Sequence, residues 1–211
     1  MGALLLAATL LFGACGGGGE GEDEAAGTDD STPTDTATPD ETATVDDGLT
    51  DPGTELDLGE VATFTWQPKR NLEGRLELSV DRADLTTMKD FQAYKVSKRD
   101  AKATPYYVHV TVKNVGETNM SGVDLPLYLD DGSNVLTPSA RFTAAYKKCP
   151  STPLPKKFGP GKEASLCLVY LAPQRAELSA MIVRPDEQVA PISWTGEVTK
   201  PKKPKKKKQQ G

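Results

Sequence analysis

The sequence predicts an all-β domain over residues 61–199, an antiparallel β-sandwich of two sheets and about seven short strands. Three observations predict it. Apolar residues alternate with polar ones at period two in several short runs, the signature of strands with one buried face. Turn chemistry separates those runs at regular intervals. Eleven prolines, from Pro68 to Pro191, interrupt the segment and forbid long helices almost everywhere.

The elements follow in chain order. Ala62, Phe64 and Trp66 alternate with Val61, Thr63 and Thr65. Leu76, Leu78 and Val80 alternate with Arg75, Glu77 and Ser79. Leu85–Arg99 is free of proline, charged and loosely helical, and reads as an insertion with one short helix. Tyr106, Val108, Val110 and Val112 alternate with Tyr107, His109, Thr111 and Lys113, and Asn114-Val115-Gly116 turns the chain. Asp130-Asp131-Gly132-Ser133-Asn134 reads as a hairpin turn. Phe158-Gly159-Pro160-Gly161 precedes Leu166–Leu171, a run apolar on both faces and therefore expected at the centre of a sheet. Met181–Arg184 and Ile192–Thr195 complete the set, with Arg184-Pro185-Asp186 as a turn. A small barrel is the rival architecture; the proline density favours open, protected edges.

The flanks differ from this domain in charge. The net charge of -5 averages a segment 16–60 with 15 acids and no base, a domain of 18 bases and 15 acids, and a tail 200–211 with seven lysines and no acid. Such segregation leaves one segment with the composition of a folded domain. It excludes two domains, a nucleotide-binding α/β enzyme and a multi-span membrane protein. Residues 16–60 are rich in Gly, Thr, Pro and acid, cannot bury enough apolar area to offset their ordering entropy, and read as a disordered tether. Extended, it reaches roughly 150 Å.

Ala3 to Phe12 is a nearly unbroken apolar run ending in Gly13-Ala14-Cys15. As a helix, residues 3–14 would span about 18 Å at ~1.5 Å per residue, too short for a bilayer core of about 30 Å. The run fits the apolar region of a signal peptide. It resembles a bacterial lipoprotein signal, in which two small residues precede a cysteine that is acylated and becomes the N-terminus. The resemblance implies a signal over residues 1–14, lipidation (palmitate among the acyl chains) at Cys15, and a membrane anchor on the extracellular face. Phe12 stands where that signal has Leu, with Leu11 one residue further out, and the first residues carry no Lys or Arg. Ordinary signal-peptide cleavage, with Cys15 incidental, is the alternative.

With Cys15 assigned to lipid, Cys149 and Cys167 remain, and an even pair in an exported protein reads as a disulfide. Free thiols are the alternative. No zinc site is expected, since the chain has no Cys-x-x-Cys and one histidine.

The run Tyr106-Tyr107-Val108-His109-Val110-Thr111-Val112-Lys113-Asn114-Val115-Gly116 carries a second resemblance. So do Phe158-Gly159-Pro160-Gly161, Cys167-Leu168-Val169-Tyr170-Leu171-Ala172-Pro173 and Ile192-Ser193-Trp194. Together they are similar to the immunoglobulin-like extracellular domains of Gram-positive, especially actinobacterial, lipoproteins. That family is of unknown function and includes secreted mycobacterial antigens. The resemblance covers roughly residues 58–198. It implies an immunoglobulin-like sandwich at the cell surface, and it supplies no catalytic residue.

No enzymatic chemistry is expected, and neither cofactor nor metal. His109 falls on the polar face of its strand, and no Gly-x-Ser-x-Gly elbow exists. Asp130-Asp131-Gly132 lacks the alternating ligands and distal Glu of a calcium loop. Two clusters of lysine are the candidate contact residues. Lys147, Lys148, Lys156 and Lys157 lie in the segment around the cysteine pair. Lys202, Lys203, Lys205, Lys206, Lys207 and Lys208 lie in the tail. The tail could serve anionic lipid headgroups, an anionic cell-wall polymer, or the chain's own acidic tether. The function expected is a membrane-anchored surface module, monomeric, that binds a wall polymer or surface protein and no nucleic acid. The alternative is an accessory subunit or enzyme of the cell envelope.

Overall fold

The computed structural model describes residues 47–201, apart from residues 95, 134, 143 and 145. Cys15, the tether before residue 47, and the tail lysines Lys202 to Lys208 lie outside the described residues. No helix among the described residues is long and apolar enough to cross a membrane.

Nine strands form among the described residues: β1 (Glu55–Asp57), β2 (Val61–Lys69), β3 (Leu72–Leu85), β4 (Thr104–Asn114), β5 (Leu127–Asp130), β6 (Thr137–Pro138), β7 (Glu163–Ala172), β8 (Ala180–Val183) and β9 (Ile192–Thr195). One sheet runs β2-β3-β4-β7 and is wholly antiparallel. The other runs β1-β9-β8-β5-β6, with the pair β1–β9 parallel. In immunoglobulin lettering, β3, β4 and β7 take the places of A, B and E, and β5, β8 and β9 those of C, F and G. The fold is therefore an immunoglobulin-like sandwich. The strands beyond about seven are short edge pieces; β1 and β6 have 3 and 2 residues, too few to show a period. Leu56 and Leu58 pack against the core, which draws the sandwich's first strand N-terminal of residue 61.

The alternation expected in β2, β3 and β4 is what fills the core. Phe64, Leu76, Leu78, Val80, Val108, Val110 and Val112 face Leu127, Leu129, Met181, Val183, Ile192 and Trp194 across the sandwich. The register of β3 on β4 shifts between Val80 and Arg82. Asp81 and Arg82 are both exposed, and inward positions then resume at Ala83. This bulge re-phases the alternation and lets β3 run for 14 residues, past the point where the sequence pattern ends.

Aromatic side chains tie the sheets through their polar tips. Tyr170 Oη donates to the Leu127 carbonyl at 2.8 Å, Tyr106 Oη accepts from the Leu178 amide at 3.1 Å, and Trp194 Nε1 donates to the Glu60 carbonyl at 3.0 Å. Each buries a large apolar body and leaves no polar atom orphaned. Asn114 is fully buried at the end of β4. Its amide donates to the carbonyls of Thr118 and Phe158, and its side-chain oxygen accepts from the Gly116 amide.

The strand β7 corrects one expectation. It is an edge strand, not a central one. Its second apolar face is buried by loops instead of by a further strand. Its free edge is also occupied: Ala140 N donates to Val169 O at 2.7 Å and Ser151 N to Cys167 O at 2.9 Å. Ser151 Oγ in turn accepts from Val169 N at 3.1 Å. An edge covered in this way offers no template for pairing with another chain.

Candidate functional site

Two segments fold over the outer face of β4 and β7. The first, between β3 and β4, makes two short 3-10 turns, Met88–Phe91 and Asp100–Lys102, in place of the single helix expected there. The second is the loop between β6 and β7. Phe91 is their meeting point and is fully buried. Its ring lies 5.7 Å from Phe142, stacked, 5.1 Å from Tyr146 and 6.1 Å from Tyr107. Tyr94 closes the group at 5.3 Å from Phe142 and 5.2 Å from Tyr146. With Cys149 and Val169 this is a second hydrophobic cluster, separate from the core between the sheets.

The disulfide Cys149–Cys167 forms and fastens the second segment to β7. Closing a loop of 18 residues stabilises the native state by roughly 3 kcal/mol on the chain-entropy estimate.

A polar network rims the aromatic cluster. Asp90 Oδ2 accepts from Thr86 Oγ1 at 2.7 Å and from Tyr107 Oη at 3.0 Å, and Asp90 Oδ1 accepts from Lys148 Nζ at 2.7 Å. Tyr107 and Tyr146 share a hydrogen bond between their hydroxyls. The Lys148 ammonium, then the Thr86 hydroxyl, hold the Asp90 carboxyl below the usual carboxylate range. Burial pushes the Tyr107 hydroxyl up; it pushes Tyr146 up further, with the Tyr107 hydroxyl adding to it. Both phenols therefore stay protonated at neutral pH and act as donors within this network.

His109 is half-buried beside the disulfide. The register sets Arg82, His109 and Cys167 in one row across β3, β4 and β7. His109 Nε2 lies 3.0 Å from Arg82, 3.2 Å from Asp84 and 3.8 Å from Cys167 Sγ. Burial first, then the Arg82 guanidinium, lowers its pKa despite Asp84. Asp84 opposes this by its charge and its hydrogen bond, but shares the same carboxylate oxygen with Arg82 at 3.0 Å.

The candidate lysines separate. Lys147 and Lys148 stand on the aromatic cluster, between buried Tyr146 and buried Cys149. Lys148 is committed to Asp90, although its side chain remains 61% exposed. Lys156 and Lys157 are exposed and are bracketed by Leu154 and Phe158, which belong to the other, main core. The two pairs thus stand beside buried residues of different clusters. Sequence reasoning missed the aromatic lid. Its signal was the pairing of Phe91 with Tyr94 and of Phe142 with Tyr146, aromatics three and four residues apart in otherwise polar loops.

A cleft of about 360 Å³ opens at the end of the sandwich where residues 47–52 meet residues 185–192. Phe64, Ile192 and Val189 give it an apolar floor, and Asp47, Asp51 and Asp186 an acidic rim. No group of three or more metal-ligating side chains converges among the described residues.

These features define a class: an immunoglobulin-like sandwich whose four-stranded sheet carries a disulfide-fastened aromatic lid. No family model and no curated protein matches the chain. Among solved structures, it is similar to MPT63, a secreted protein from Mycobacterium tuberculosis. That likeness has a TM-score of 0.47 and 10% identity, over 67% of this chain and 96% of that one.

Proposed function

We propose that this is an exported, lipid-anchored protein of the cell envelope whose sandwich is an interaction module held away from the membrane by the acidic segment between Cys15 and residue 47. The observation that carries the reading is the bond between Cys149 and Cys167. A fold that relies on a disulfide belongs to an oxidising compartment, in agreement with the short apolar run before Cys15. The module offers its partner a rigid face. Lys147, Lys156 and Lys157 project from loops whose neighbours are buried, so little side-chain-bearing backbone must be ordered on binding.

Two experiments test this. Cell fractionation of wild type and Cys15→Ala should move the variant out of the membrane fraction; equal partition sinks the anchor. Crosslinking and mass spectrometry on intact cells should then recover a partner through Lys147, Lys156 or Lys157. Recovery unaffected by charge reversal at all three removes these lysines from the contact.

A further inference from the structure

The turn Asp100–Lys102 packs against the turn Pro173–Arg175 that follows β7. Between them lies an open surface cavity of about 410 Å³ lined by Lys98, Arg99, Lys102, Gln174 and Arg175, all of them exposed. Four of those side chains are cations, one is an amide, and none is an acid. Among the described residues no ion pair joins any of the four cations to a carboxylate. The acid within the first turn, Asp100, has its carboxylate engaged by the Ser97 hydroxyl at 2.7 Å. The backbone is also unusual here. Gln174 and Arg175 have φ of 54° and 64°, consecutive left-handed conformations that non-glycine residues rarely adopt. That turn lies against the segment of Lys98, Arg99 and Lys102, so four cations line one site.

We infer that this cavity is an anion site for a phosphate group. Two guanidiniums provide planar forks that grip oxyanions in pairs of hydrogen bonds, two ammoniums provide compact charge, and the Gln174 amide provides a neutral donor. A carboxylate, with one charge and two oxygens, would leave most of this unmet. A phosphoryl group, with more oxygens and up to two charges, meets it, and the volume leaves room for a group attached to the phosphorus. The site is separate from the lysines around the disulfide, and it stands whether or not Cys15 carries lipid.

The test is a titration of the full chain with inorganic phosphate and pyrophosphate at low ionic strength, read residue by residue by NMR. Backbone signals of residues 98–102 and 174–176 should shift and saturate. The double variant R99Q/R175Q should weaken binding by about tenfold or more, while K147Q/K156Q/K157Q leaves it unchanged. These are surface substitutions, and an otherwise preserved spectrum verifies the fold of each variant. A second arm measures co-sedimentation with phosphatidylcholine vesicles with and without phosphatidylglycerol. Weakening of R99Q/R175Q in both arms makes a lipid headgroup the source of the phosphate. Weakening in the first arm alone makes it a soluble or polymeric phosphate. Unchanged phosphate affinity in R99Q/R175Q, or shifts confined to the lysines of residues 200–211, overturns the site.

Discussion

Lys148 Nζ stands 2.7 Å from Asp90 Oδ1, joining two loops whose partners lie 58 residues apart in the chain. Each loop alone would be a polar excursion from the sandwich. Together they share one aromatic cluster and one carboxylate. Asp90 is the busier partner, with Thr86 and Tyr107 also donating to it. Asp90→Ala should therefore cost more than Lys148→Ala. Loss of the carboxylate strands the Tyr107 and Thr86 donors and should destabilise by about 1–2 kcal/mol. Lys148 is largely exposed and should matter less. Chemical denaturation of both variants checks the order; equal losses would mean the ion pair, not the hydrogen-bond hub, carries the effect.

Phe91→Ala should separate the lid from the sandwich. Phe91 is fully buried, but its cluster shares no buried residue with the core between the sheets. Truncating a buried Phe costs about 3–5 kcal/mol where the site cannot collapse. The loss should fall on the lid first. Hydrogen exchange should rise in residues 86–103 and 140–151 while β3 and β4 stay protected. Uniform loss of protection across all strands would show one cooperative unit instead.

The lid marks where the sequence stopped being readable. Val108 and Val110 announce a buried face because a strand alternates with a fixed period, whatever it packs against. Val169 and Leu171 announce a second buried face equally well, but period alone cannot say what buries it. A further strand and a folded loop produce the same pattern. The bulge at Asp81 hid the second half of β3 in the same way, by changing phase. Cys149 and Cys167 were legible as a pair because counting suffices. The basic cavity was not, since Arg99 and Arg175 are brought together only by the course of β4 and β7.

Reduction, or the double variant C149S/C167S, should lower stability by roughly 3 kcal/mol on the chain-entropy estimate. Cys149 is fully buried and Cys167 only partly, so the reductant reaches the bond through Cys167 Sγ. Limited proteolysis should then cut within residues 139–158 before any strand of the sandwich. A denaturation midpoint indifferent to reductant would show that the aromatic contacts suffice to hold the loop.

His109 makes the stability depend on pH in a defined direction. It is the chain's one histidine, so titration near its usual value of 6.5 is assigned without ambiguity. Burial, then Arg82, lowers its pKa in the folded state, while the unfolded chain keeps the ordinary value. The unfolded state therefore binds more protons between the two, and stability rises with pH across that window. The contribution is complete above about 6.5, is lost as pH falls through the folded value, and then levels off. Asp90 acts in a lower window, below the ordinary carboxylate value of 3.8, because its own pKa is lowered. H109Q should flatten the upper slope and leave the acid one. R82Q should raise the imidazole pKa, because the repelling guanidinium goes and Asp84 is released to the ring. NMR titration of the imidazole reads both; a folded-state pKa above 6.5 in the wild type would mean that Asp84, not burial, governs the site.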